Sequence, residues 1–329
     1  MKSKKRIVKK VIFGILIAIA VFIAVNIIVT EVYASKIPHH FASAKEGREL
    51  ILSNEFYNNY SQNDLNIRLA KTDSTLDEFL DNSSESVKSF NIFEKFYIDS
   101  RLANMARSLD KNGYSIPEID TITFVKRDMS VEFGCSGYTH ENEIYLNSSL
   151  IFGYTLMSID PQTDNLMEEL LWHEMFHVIT RFNPEFRSQM YSLINFTVTD
   201  SDYVLPSSVS EYMLCNPDVE HHDSYATFVI DGQNVDCFMA YVSTGHFTEG
   251  EAIDDIAALV PVDGSDTYYT SDQASNFDDV FGTNTSYVID PEECMADNFS
   301  FAMTYGIEGK DNNGYPNPEI ISGVIDALK

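Results

Sequence analysis

The sequence predicts an α+β fold with mostly helical flanks, preceded by a single N-terminal transmembrane helix. Three observations lead there. The run 11–30 is apolar apart from Gly14, Asn26 and Thr30. Two later segments, 165–182 and 290–305, carry helical periodicity and helix end signals. Short alternating or β-branched runs lie between them.

Residues 1–10 form a basic flank, with Lys2, Lys4, Lys5, Arg6, Lys9 and Lys10 and no acid. A helix over 11–30, at about 1.5 Å per residue, crosses the roughly 30 Å hydrocarbon core. The cations ahead of it place the N-terminus in the cytoplasm and residues 35–329 outside, in a single-pass protein of the cell membrane. A cleaved signal peptide, giving a secreted protein, is the competing reading. Val32-Tyr33-Ala34 ends in a small-residue pattern that a signal peptidase could cut.

Residues 31–45 are read as a stalk, and 46–115 as a helical region. Within it, 46–52 is a short helix. In 87–109, Phe90, Phe93, Phe96, Tyr97, Leu102, Met105 and Leu109 follow a 3.6-residue rhythm. Asn112-Gly113 then breaks the chain. The remainder, 116–329, is read as the domain that carries the chemistry. Residues 121–126 and 143–146 are strand-like, with a turn at His140-Glu141-Asn142. The helix over 165–182 stops ahead of Asn183-Pro184, and another covers 186–196. A hairpin joins 227–230 to 235–239 through Asp231-Gly232. Residues 250–259 are read as helical and 263–285 as a long loop. The last helix, 290–305, has Asp290 as N-cap, Pro291 at its first position and Gly306 at its end.

Composition narrows the function. At 44% hydrophobic residues the chain can bury a core and is not a disordered one. Six of the 22 cations precede residue 31, which leaves 16 cations against 50 acids and a net charge of −34 beyond it. Such a surface repels nucleic acid, so no nucleic-acid partner is expected. The four cysteines, Cys135, Cys215, Cys237 and Cys294, show no CxxC spacing, which argues against a thiolate zinc site. Outside the cytoplasm they would allow two disulfides, in any of three pairings.

The chemistry concentrates in His173-Glu174-Met175-Phe176-His177. On a helix, positions i and i+4 share a face, so both imidazoles reach one ion, and zinc takes such nitrogens while leaving a position for water. Glu174, beside the first histidine, is placed to accept a proton from that water. Leu166, Leu170, Leu171, Val178 and Ile179 make the helix a buried one, where a histidine pair needs a polar purpose. A third ligand must come from elsewhere. Glu293 and Asp297 are four apart on the last helix, as a carboxylate ligand and a partner for a ligating histidine's N–H should be. Glu251 and Asp255 repeat the spacing and compete for the role; Glu293 is also a possible capping residue.

These residues resemble the gluzincin metallopeptidases, which carry His-Glu-x-x-His on one helix and a glutamate ligand on a later one. Glu293-x-x-Ala296-Asp297-x-Phe299 is most similar to the branch that includes the anthrax lethal factor protease domain and many secreted bacterial relatives. The resemblance implies a zincin-like catalytic domain over 116–329, with one Zn2+ on His173, His177 and Glu293, and Asp297 behind the ligands. It implies Glu174 as general base and Tyr287, one residue closer to the ligand than the usual spacing, as oxyanion donor. Substrate would lie as an added strand along the run 134–146. His221, His222, Asp223, His246, Tyr268 and Tyr269 are further polar candidates for the cleft.

The function expected is that of a zinc endopeptidase acting on an extracytoplasmic protein or peptide. The alternatives are a non-catalytic zincin-like binding module and a zinc amidohydrolase acting on cell-wall material.

Overall fold

The computed structural model describes residues 2–158 and 160–329. Side chains 2–11 fall outside the described residues, and with them the cations of the basic flank. The chain runs through helix α1 (Lys2–Ala34), strand β1 (His39–Phe41) and helices α2 (Ala44–Ser53), α3 (Gln62–Leu69) and α4 (Leu76–Glu85). Next come β2 (Val87–Lys88), α5 (Ile92–Asn112), β3 (Ile122–Arg127), β4 (Gly137–His140) and β5 (Glu143–Asn147). Helices α6 (Ser148–Leu156), α7 (Pro161–Phe182) and α8 (Pro184–Ser192) lead to β6 (Thr197–Val198), the single turn α9 (Ser207–Ser210), β7 (Ser224–Ile230), β8 (Gln233–Ser243) and β9 (Asp255–Pro261). The chain closes with α10 (Phe277–Phe281), α11 (Pro291–Tyr305) and α12 (Pro318–Ala327). Half of it is helix and 16% strand, which is the mixed α/β class in its coarse form.

Local chemistry sets the two long helices of interest. Asp160 caps α7 by accepting from Gln162 N–H, and Pro161 follows it. Asp290 caps α11 by accepting from Glu292 N–H, and Gly306, at φ 62°, ends it. Helix α7 buries Leu171, Trp172, Met175, Phe176, Val178 and Ile179. At roughly 1.5–3 kcal/mol for each such side chain before entropy, that face fixes the helix in the core.

The first sheet runs β1-β3-β5-β4, with β2 also on β3. Strands β1 and β5 are parallel to β3; β4 is antiparallel to β5 and lies at the edge. The period-2 alternation divides its side chains between two cores. Phe124, Ile144 and Leu146 pack with Leu102 of α5 and with Leu171 and Met175 of α7. Val125, Tyr138 and Tyr145 face the other way, onto Ile51 of α2 and Phe79 of α4. Helix α2 lies so close that a Cβ on Gly47 would meet Val125 Cγ1 at 2.8 Å. The second sheet, β6-β7-β8-β9, is antiparallel throughout.

Several expectations need correction. Residues 31–45 are not a stalk: α1 continues to Ala34, β1 pairs with β3, and α2 begins at Ala44. Ala34 and Ile37 are buried in the main core, and Tyr33 is flanked by Lys36 and Arg107. Residues 46–115 are mostly helical, and they also supply β2, which pairs with β3, while α2 and α4 cover that sheet. Residues 250–259 hold no helix; 255–261 is β9, paired along β8. The expected loop 263–285 contains the short helix α10. All four cysteines are free thiols, so the permitted disulfides are absent.

Helix α1 is the one described helix long and apolar enough to cross a membrane, over Ile15–Ala34 with mean hydropathy 2.7.

Candidate metal centre

Helices α7 and α11 pack against one another and bring together the residues singled out by spacing. His173 and His177 project from one face of α7, with ring centroids 4.9 Å apart. Glu293 comes from the first turn of α11, where its carboxylate Oε2 is 3.1 Å from His173 Nε2 and 3.7 Å from His177 Nε2. One donor atom from each of the three lies within 4.8 Å of the others, so the group could hold a metal ion. Glu293 is therefore not spent on capping its helix. Glu251 does not compete: it is exposed in the turn before β9, and Asp255, which begins that strand, accepts from Tyr241.

Each histidine is oriented from behind by a carboxylate. Asp297 Oδ1 is 2.9 Å from His173 Nδ1, and Thr285 Oγ1 donates to the other Asp297 oxygen. Glu292 Oε1 is 3.0 Å from His177 Nδ1. With Nδ1 of both rings engaged, Nε2 of both points towards Glu293. Helix phase alone suggested Asp297. Glu292, directly beside Glu293 in the chain, carries no spacing signal for its bond to His177.

Glu174 is buried beside the histidines and takes a hydrogen bond from Thr139 Oγ1, on edge strand β4, at 2.8 Å. Burial, followed by repulsion from Asp218, raises its carboxyl to about 7 against the partial relief given by His173 and His177. The strand passes so close that a Cβ on Gly137 would stand 2.7 Å from Glu174 Oε1. Tyr287 donates from its hydroxyl to Glu293 Oε1 at 3.2 Å. Burial and then Glu293 push its phenol well above the ordinary range, so it remains a donor. Burial works to lower the His173 imidazole, but its bonds to Asp297 and Glu293 outweigh that and raise it well above the usual value. Glu293 shifts downward: burial would raise it, and its bond to His173 and the charge of His177 overcome the burial.

His173, Glu174, Tyr287, Glu293 and Asp297 all line one cavity of about 360 Å³, whose apolar wall includes Leu150 and Leu170. The other polar candidates lie elsewhere. His221 pairs with Asp202, Asp223 with Arg187, and His222 and His246 rest on Phe238 and Tyr212. Tyr268 and Tyr269 pack against apolar clusters. Two residues not anticipated do reach the site. Asn216 donates to Glu293 Oε1, and Asp218 Oδ1 lies 3.9 Å from His177 Nε2.

The donor set fits a metal ion on two counts. His177 Nε2 is buried without a hydrogen-bond partner, a state that costs about 1–3 kcal/mol unless something binds it. Glu174, Glu292, Glu293 and Asp218 are carboxylates crowded in a buried space; Arg187 faces Glu292 and Arg181 acts on Asp218, which leaves the two imidazoles as the counterweight to Glu174 and Glu293. Comparison of the chain with protein-family models, with curated proteins and with solved structures finds no match for it.

Proposed function

We propose that the protein is a membrane-anchored, extracytoplasmic zinc endopeptidase of the zincin type. The observation that carries the reading is the convergence of His173, His177 and Glu293, with the carboxylate of Glu174 beside them and the edge strand β4 running past. In this reading the three residues hold one Zn2+, while Asp297 and Glu292 fix the two rings. Zinc suits two imidazoles and a carboxylate, and when bound it supplies Lewis acidity to a substrate carbonyl and to a water.

The chain's own residues do the rest. Glu174, held by Thr139 beside the two histidines, accepts a proton from the attacking water and returns it to the departing amine. Tyr287 is a neutral hydroxyl that hydrogen-bonds to the developing oxyanion. An extended peptide pairs with β4, the edge strand of its sheet, held by its main chain. The apolar helix α1 supports the anchor, and its basic flank supports an outward-facing catalytic domain.

The experiment is zinc content and hydrolysis of denatured casein by the full chain in detergent, wild type against Glu174→Gln. Wild type should carry one zinc and cleave. Glu174→Gln should keep the zinc and lose at least the roughly 10²–10⁴-fold that a general base supplies. An unchanged rate in the variant would remove the peptidase reading.

A further inference from the structure

The segment 214–220, between α9 and β7, contributes Asp218 to the lining of the cavity that holds the metal-site residues. Asp218 on this segment is buried, with its side chain 7% exposed, and makes two contacts inside the cleft. Its Oδ1 accepts from Thr139 N–H at 2.6 Å. In an antiparallel pair, alternate residues turn their amides away from the partner strand. Thr139 belongs to the outermost strand, so the amide taken by Asp218 is one that an incoming peptide strand would use. The same carboxylate oxygen is 3.9 Å from His177 Nε2, the unpartnered buried nitrogen of the site. Donor atoms of Asp218, Glu174 and His177 lie within 4.8 Å of one another, which puts the Asp218 carboxylate where substrate and water must react. Ligands of a tetrahedral zinc site stand about 3.3 Å apart, so Asp218 is within a small shift of joining the ligand set.

The segment is pinned from several sides. Cys215 N–H donates to Asp64 Oδ2 at 2.9 Å. Arg68, fully enclosed, donates to Asp64 Oδ1, to Glu132 and to the Cys215 carbonyl. Arg181, one turn beyond His177, donates to the Pro217 and Asp218 carbonyls at 2.9 and 3.2 Å. Asn216 reaches Glu293. Main chain and side chains of the segment are thus tied down beside the site. Asp218 also lines a second cavity, of about 650 Å³, and is the one residue that the two linings share.

We propose that the segment 215–218 is a built-in plug and that the fold described here is the latent form. The proposal rests on the zinc peptidase reading and concerns the regulation of that same site. Asp218 holds the edge amide of Thr139 and the open side of the metal centre together, so one movement frees both. Lifting the plug merges the two cavities into a single cleft along β4 and leaves His173, His177 and Glu293 as the ligands that remain.

Asp218→Ala and Asp218→Asn test this in the full chain in detergent, loaded with zinc. Zinc affinity by chelator competition, casein hydrolysis and amide exchange over 136–140 are measured together. Both substitutions should weaken zinc binding by about tenfold or more, the range in which lost partners of a metal site act. Asp218→Ala should also cleave casein at least tenfold faster and exchange the Thr139 amide faster. Asp218→Asn, which keeps a carbonyl for that amide, should exchange it as wild type does, and it serves where the alanine variant does not fold. Unchanged zinc affinity overturns the plug, and so does a loss of hydrolysis equal to that of Glu174→Gln. If no form cleaves casein, the peptidase reading falls, and the zinc and exchange measurements still decide whether Asp218 occupies the site.

Discussion

Glu292 and His177 are joined at 3.0 Å, Oε1 to Nδ1, and the same carboxylate is gripped by two other residues: Thr180 Oγ1 and Tyr191 hydroxyl each donate to it at 2.6 Å. The acid that sets the ring's tautomer is therefore itself fixed by helices α7 and α8. Glu292→Gln should retain the fold and weaken zinc binding by about 10–100-fold, the usual effect of losing such a partner. Chelator competition reads it, and an unaltered affinity would show that the ring is held by packing alone.

Tyr287 donates to Glu293 and faces the same cavity as Glu174. Tyr287→Phe keeps the ring and removes the hydroxyl. In the proposed mechanism kcat for peptide hydrolysis falls by about 10²-fold, with zinc content and KM nearly as in wild type. Zinc lost in step with activity would mean that the hydroxyl only secures Glu293.

Gly137 is held to its small size by contact, not by backbone angle. A methyl there would meet Glu174 Oε1 at 2.7 Å and the Tyr145 carbonyl at 3.0 Å. Either the base or the edge strand must shift, and misplacement of about 1 Å can cost 10²-fold. Gly137→Ala should lower kcat/KM by more than tenfold at full zinc occupancy. A rate within twofold of wild type would show that Glu174 has room to adapt.

His140, next to Thr139 on β4, gives a pH dependence of its own. Both of its ring nitrogens lack partners, and it is packed among Phe56, Tyr57, Tyr138 and Tyr145. Burial first, then the charges of Arg181, Arg127 and Arg68, hold its folded pKa well below 6.5. The unfolded chain takes up this proton below pH 6.5 and the folded chain does not. The stability is thus fully present above 6.5 and drains away as pH falls, at up to about 1.4 kcal/mol per unit. His140→Phe should lose less stability than wild type between pH 7.5 and pH 5 in urea titrations. Parallel losses would contradict the assignment.

The parts of the protein that were readable in advance are those whose signals are local. Helices α7 and α11 announce themselves by period and by Asp290, Pro291 and Gly306, and the i, i+4 rule places Asp297 on the helix face of Glu293, where it meets His173. Strand β9 was mistaken for a helix because Ile256-Ala257-Ala258-Leu259-Val260 is a short apolar run, and periodicity cannot separate strand from helix there. Strand β1 was missed because three residues, His39-His40-Phe41, carry no pattern; β3 imposes their conformation. Asn216 and Asp218 lie in an irregular segment whose course is set by Arg68 and Asp64, about 150 positions earlier, and no short-range pattern reports such a tie.

The join between α1 and the sheet has a mechanical meaning. Thr30 and Ala34, on the last turns of the helix, are buried against the domain, Lys36 pairs with Asp110, and only residues 35–38 intervene before β1. There is no slack in such a join. With α1 in a bilayer, the domain turns about its axle but does not swing on a tether, and the cleft works at one altitude above the lipid. For the peptidase proposed above, the choice of bond would then depend as much on how far a target's susceptible stretch stands off the surface as on the side chains around it.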